Sequence, residues 1–250
     1  MLFRSEKYVR ENGELVRGEQ SVCLYALMLD LLPDDDSRAA VKKQLTDNIA
    51  ARGNRLGTGF LGTAVLLPTL TKLGLSETAY TLLLQHENPS WLYSVDQGAT
   101  TIWERWNSYT KKDGFGDVGM NSFNHYAYGS VIGWMFETMA GISPAEPGFE
   151  KILIAPEPDC RIGVKASYDS VRGTIKAESK ITDGVWVYEC TLPENTAAEI
   201  RLPVRSRNRF TVNGTDVRDV ETASDGIALR ERGEYLIFDA LPGTYRFEMK

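Results

Sequence analysis

Residues 88 to 126 read NPSWLYSVDQGATTIWERWNSYTKKDGFGDVGMNSFNHY and gather aromatic, acidic and amide side chains into one stretch. Trp91, Trp103 and Trp106 supply flat apolar faces, Glu104 and Asp96 carboxylates, and Asn121, Asn124 and His125 polar hands. Flat faces stack on the C–H side of a sugar ring, while amides, imidazole and carboxylates bind its hydroxyls. Carbohydrate is the first chemistry suggested. Glycoside hydrolysis needs two carboxyl groups, one protonated for the leaving oxygen and one ionised for water or the sugar itself. Glu104, set between Trp103 and Arg105, is the candidate for one of them.

Taken singly, each residue has a plainer reading. A Glu-Arg pair is most often a solvated surface pair, and a histidine inside an apolar helix is more often a hydrogen-bonded core residue than a ligand. Trp134 and Trp186 read as plain core, and His86, beside Glu87 at a helix end, as a terminal polar residue. Density within one stretch favours a site, and the residues alone lead to a sugar-binding helical domain.

The elements that must position these side chains differ in texture along the chain. From about residue 18 to 142 the pattern is helical. GEQSVCLYALMLDLLP predicts a helix ended by Pro33. In SRAAVKKQLTDNIAARG, Val41, Leu45 and Ile49 recur every four residues, with Ser37 as the expected N-cap and Gly53 as the stop. FLGTAVLLPTLTKLG predicts a helix with Pro68 inside it, SETAYTLLLQ one capped by Ser76, and SFNHYAYGSVIGWMFETMAGI a buried helix containing His125. Residues 86 to 121 read as a long loop, and such loops inside domains are usually functional.

Between Pro144 and Pro158 the pattern changes. KILIAP, IGVKASYD, GTIKAESKI, GVWVYECTLP, AEIRLPV, RFTVNG, YLIFDA and TYRFEMK follow as short alternating segments, which predicts an all-β sandwich or jelly roll. Residues 1–147 are thus expected to form a helical domain and residues 148–250 a β domain. Helices and strands segregated in this way do not build a βαβ sheet.

Composition excludes several classes. The net charge is −6, from 28 basic and 34 acidic residues, with no Lys/Arg block, which argues against a nucleic-acid surface. Apolar runs such as LYALMLDLL are too short to span a bilayer. The three cysteines, Cys23, Cys160 and Cys190, have no CxxC spacing, and no His/Asp/Glu cluster has metal-ligand spacing, so neither a metal nor a cofactor is expected. MLFRSEKYVRENGELV lacks a signal core, and a cytoplasmic location is the expectation.

TGFLGTAVLLPTL, NPSWLYSVDQGATTIWERW and NSFNHYAYGSVIGWMFETMAGI, in this order and spacing, resemble the carboxy-terminal part of bacterial α-L-rhamnosidases of glycoside hydrolase family 78. PGFEKILIAPEP and SYDSVRGTI continue the likeness. The resemblance implies a partial (α/α)6 barrel with about half of its helices, followed by a small antiparallel β-sandwich. It implies release of terminal α-L-rhamnose with inversion, so the expected partner is a rhamnosylated carbohydrate or glycoside. Glu104 matches the general base, His125 the sugar-binding histidine, and Trp91, Trp103 and Trp106 the aromatic lining; Asn124, one of the polar hands above, is expected to bind substrate beside His125. Asn107 stands where an aspartate is expected. The family's general acid lies in an upstream motif of the shape D-C-P-x-R-x-E-R-x-G-W, and nothing in residues 1 to 57 resembles it. The expected partner in catalysis is therefore the upstream half of the barrel. Half a barrel also exposes apolar faces, which predicts association or oligomers. Two other readings stand beside this one: a non-catalytic carbohydrate-binding fragment, and another (α/α)6 glycosidase.

Overall fold

A computed structural model of the chain describes residues 7–204, 209–218 and 226–249. The first six residues and Lys250, on which the amino-terminal and last-strand expectations partly fall, lie outside the described residues. Two compact units divide at Ile132/Gly133. In the first, helices α1 (Gln20–Met28), α2 (Asp35–Ala51), α3 (Phe60–Lys72) and α4 (Ser76–Leu83) follow one another. On α2 the residues withdrawn from solvent are Ser37, Val41, Leu45 and Ile49, the every-fourth-residue stripe that the sequence announces.

The caps differ from expectation. Asp34, not Ser37, begins α2: its carboxylate accepts from the Ser37 N–H at 2.7 Å, so Ser37 is the third helical residue and is buried. Three consecutive aspartates offer a stronger acceptor earlier in the chain. Ser76 is likewise the first residue of α4, whose N-cap is Leu75 without a side-chain bond. Gly53 does end α2, in the left-handed conformation at φ +70°. Pro68 lies within α3. At Gly62 a β-carbon would collide with the Ser21 side chain, so glycine lets α3 approach α1 closely.

The 86–121 stretch is not wholly loop. A short helix, α5 (Trp91–Asp96), is capped by Ser90, whose hydroxyl accepts from the Tyr93 N–H at 3.1 Å. A small hairpin follows, β1 (Tyr109–Thr110) with β2 (Gly114–Phe115). The expected fifth helix also starts late. Ser122–Tyr126 is irregular, and the helical run goes from a 3₁₀ turn (Ala127–Ser130) through α6 (Val131–Trp134) to a π turn (Met135–Met139). His125 thus precedes the helix instead of sitting inside it.

The second unit is a two-sheet β structure. Strands β10 (Thr215–Asp216), β9 (Phe210–Val212), β13 (Gly243–Met249), β7 (Val185–Leu192), β6 (Gly173–Thr182) and β5 (Val164–Ser170) make one antiparallel sheet in that order. Strands β11 (Ile227–Arg232), β12 (Tyr235–Ala240), β8 (Ala197–Pro203), β4 (Lys151–Ile154) and β3 (Ile142–Pro144) make the other, in which β4 and β8 run parallel. Alternate residues of both sheets meet in one core, where the Phe238 and Phe247 rings lie 5.5 Å apart. Trp186 belongs to that core and donates from Nε1 to Ser179 Oγ at 2.8 Å; Trp134 is buried as well. In this unit strands β3, β10 and β11 are additions to the predicted set. The β11 sequence, IALRER, hides its alternation behind charge.

Candidate functional site

Two irregular segments hold most of the candidate residues, Trp91 and Asp96 being on α5, and the backbones of these segments are hydrogen-bonded to each other. The Glu104 N–H donates to Ser122 O at 2.9 Å, and the His125 N–H donates to Ile102 O at 2.8 Å. The Thr101 hydroxyl donates to the Phe123 carbonyl, and the Trp103 and Phe123 rings meet edge-on at 5.3 Å. Residues 101–104 and 122–125 therefore run antiparallel like a short ladder, though neither is a strand. This pairing brings Glu104 and His125, far apart in sequence, onto adjoining backbone.

Glu104 is fixed at both ends. While its own N–H donates to Ser122 O, its carboxylate Oε2 accepts from the Ser122 N–H at 2.8 Å. A hydrogen bond to an ionised carboxylate is about twice as strong as a neutral one, and it sets the plane of the group. Arg105 turns outward and is exposed. Asp96, the other candidate carboxylate, is engaged elsewhere: its Oδ2 lies 2.7 Å from His86 Nδ1. Asn124 is exposed, with its N–H held by Ser122 Oγ at 3.2 Å. Asn121 donates from Nδ2 to Ser108 O at 3.0 Å. Asn107 sits exposed in the turn after Trp106.

The three tryptophans form a wall. Trp91, Trp103 and Trp106 are 9%, 7% and 9% exposed. Trp91 donates from Nε1 to Tyr128 O at 2.9 Å and meets Trp106 edge-on at 5.4 Å. Trp106 stacks on Tyr128 with centroids 3.8 Å apart and planes at 17°, and Ser94 Oγ donates to Trp106 O at 2.9 Å. A cavity of about 320 Å³ is lined by all three indoles together with Val95, Ile102 and Tyr128. Glu104, Asn124 and His125 are not among its lining residues. The candidate set thus falls into an aromatic cavity and a polar ledge.

Tyr128, Phe60 and Ser122 belong to this assembly, and sequence reasoning did not single them out. Burial, and then the negative charge of Glu104, push the Tyr128 hydroxyl up from its ordinary range. It keeps its proton and can donate. The NHYAYGS spacing places Tyr128 one turn from His125 and was a usable signal. Phe60, on α3, had none. Its ring stacks on His125 at 4.7 Å and lies 5.3 Å from Tyr128. Among the described residues, no group of His, Cys, Asp and Glu side chains is arranged to hold a metal ion.

Comparison with known proteins identifies the family of both units. Residues 2–139 match the bacterial α-L-rhamnosidase six-hairpin glycosidase domain, and residues 141–216 match the bacterial α-L-rhamnosidase C-terminal domain. An α-L-rhamnosidase of Streptomyces avermitilis is 39% identical over 242 residues, covering 96% of this chain and 22% of that protein. One from Formosa agariphila is 39% identical over 247 residues, covering 96% and 26%. The crystal structure of the Streptomyces avermitilis α-L-rhamnosidase complexed with L-rhamnose superposes with a TM-score of 0.84 at 36% identity, over 98% of this chain and 23% of that one. The chain spans 22% and 26% of the lengths of these two curated relatives. Its helical unit is part of a six-hairpin glycosidase domain and its β unit the accompanying C-terminal domain; the chain belongs to the bacterial α-L-rhamnosidase family.

Proposed function

We propose that this chain carries the water-activating side of an inverting α-L-rhamnosidase, with Glu104 as general base. The general acid then comes from a segment outside this chain. In the reaction, Glu104 takes a proton from water as the water oxygen bonds to the anomeric carbon. The glycosidic C–O bond breaks, and the leaving oxygen receives the proton of the acid on the opposite side. The two carboxyl groups of such a pair stand roughly 6.5–9.5 Å apart, which leaves room for the water. The observation that carries the proposal is the double tie of Glu104 to Ser122, which fixes Oε2 and leaves Oε1 without a protein donor among the described residues. A base must be held in register with its water, and this carboxylate is held. His125, Asn124 and the tryptophan wall then bind the rhamnosyl group.

The test needs the completed enzyme, with this chain fused behind the upstream part of an α-L-rhamnosidase barrel. Proton NMR of the first product from an aryl α-L-rhamnoside should show the β-anomer. Glu104→Gln should lower kcat about 10²–10⁴-fold, the range of a positioned base. First release of the α-anomer, or a Glu104→Gln enzyme at full rate, would remove the mechanism. One observation favours a second reading, sugar binding without turnover: no carboxylate lines the aromatic cavity. Calorimetric titration of the chain alone with L-rhamnose, with Trp103→Ala as control, separates the two. Saturable heat without turnover in the completed enzyme supports binding only.

A further inference from the structure

His125 has two ring nitrogens, and the backbone has already claimed one. The Ala127 N–H, the first of the 3₁₀ turn, has no partner in the preceding helical turn and points to His125 Nδ1 at 3.3 Å. A backbone N–H can only donate, so Nδ1 is the acceptor. In the neutral ring the proton then sits on Nε2. An Nδ1–H tautomer would set two N–H groups against each other. Among the described residues nothing accepts from Nε2.

The plane of the ring is fixed as well. Phe60, from the first turn of α3, stacks on it with centroids 4.7 Å apart and planes at 21°. Tyr126 is nearly parallel to it, at 5.3 Å and 8°. The two rings come from opposite directions in sequence, Tyr126 from the residue after His125 and Phe60 from a helix more than sixty positions upstream. A short local cap fixes which nitrogen carries the proton, and the two rings fix where it points.

We infer that Phe60 is a positioning residue which, with the Ala127 N–H, holds His125 as an Nε2–H donor aimed at a sugar hydroxyl oxygen. This rests on the rhamnosidase reading of the site for the identity of the acceptor, and on the geometry alone for the donor. The group facing Nε2 must accept a hydrogen bond, which a ring hydroxyl does and a deoxy position does not.

The chain has two histidines, so His86→Gln leaves a single imidazole to observe. In the ¹⁵N-labelled full chain at about pH 8, where imidazoles are neutral, long-range ¹H–¹⁵N spectra should show Nε2 protonated and Nδ1 bare. The His125 ring protons should be shifted upfield by the stacked rings. Phe60→Leu should move those protons downfield and leave Nε2 protonated, since the Ala127 N–H remains, while Phe60→Tyr should keep the upfield shift. An Nδ1–H tautomer, or ring protons indifferent to Phe60→Leu, would overturn the inference. In the completed enzyme, Phe60→Leu should raise KM about threefold to tenfold with a smaller change in kcat, the size of one positioned neutral hydrogen bond. An unchanged KM would overturn the substrate-facing part. The NMR result does not depend on turnover, so a completed enzyme without rhamnosidase activity would refute the function and leave the tautomer standing.

Discussion

Phe238 and Phe247 in the β unit are completely withdrawn from solvent, whereas Leu61, Phe115, Val118 and Tyr126 in the helical unit are 76%, 75%, 95% and 88% exposed. Both units come from one chain of ordinary composition. The sheets of the β unit share one core, across which Tyr188 Oη donates to Ala140 O at 2.6 Å, and its exposed apolar side chains, such as Val171 and Leu241, lie outside that core. The helical unit keeps its candidate residues in place through loop-to-loop hydrogen bonds and ring stacks, beside apolar side chains that stay largely exposed. The chain spans about a quarter of the length of these relatives, and exposed apolar side chains are where contact with a further surface would be looked for.

Breaking the sealed unit should cost most. Phe247→Ala opens a cavity among rings from both sheets, and a loss of about 3–5 kcal/mol is expected from chemical denaturation; a loss under about 1 kcal/mol would mean the core is looser than the packing indicates. Next in size is the ledge. Ser122→Pro removes the N–H that holds Glu104 Oε2, and kcat of the completed enzyme should fall about tenfold to a hundredfold, the value of a hydrogen bond to a charged group. Ser122→Ala keeps that N–H but removes the hydroxyl that accepts from the Asn124 N–H, so its kcat should fall less than that of Ser122→Pro; equal losses in both variants would point to a disturbed loop instead.

A third test uses acid. Glu199 is buried on the β unit, where Arg230 donates to it at 2.6 Å, Arg201 bonds its other oxygen, and Lys151 Nζ lies 3.8 Å away. Arg230 first, working against burial, and then Arg201 hold its carboxyl below the usual range. The stability it contributes is therefore complete above the ordinary glutamate value of about 4.3 and is lost as pH falls through the lower native value. Glu199→Gln should flatten the acid limb of the thermal stability curve below about pH 4; an unchanged limb would assign it to other groups. Least affected should be the open face: Leu61→Ser or Val118→Ser should leave folding stability of the isolated chain within about 0.5 kcal/mol. A large destabilisation would show that these side chains are already covered.

What could be read from the sequence follows the same division. The α2 stripe, the Gly53 stop and eight strands of the β unit were legible because periodicity and turn residues are local signals. The Ser37 cap was misplaced because three aspartates precede it and Asp34 starts the helix, and the Ser76 cap because the N-cap of α4 is apolar Leu75, without a side-chain bond. Glu104 and the tryptophans stood out by type and crowding. Their arrangement did not, since the pairing of residues 101–104 with 122–125 is long-range backbone bonding between irregular segments that no pattern announces. Phe60 is the clearest case: an ordinary first-turn aromatic whose importance lies wholly in the ring it meets.

The central claim is that Glu104 activates the attacking water. In the completed enzyme carrying Glu104→Gln, azide can attack without a base to deprotonate it. Added azide should restore turnover of an aryl α-L-rhamnoside and give the β-L-rhamnosyl azide, the product of direct displacement with inversion. No restoration, or an azide product of retained α-configuration, would contradict Glu104 as the general base.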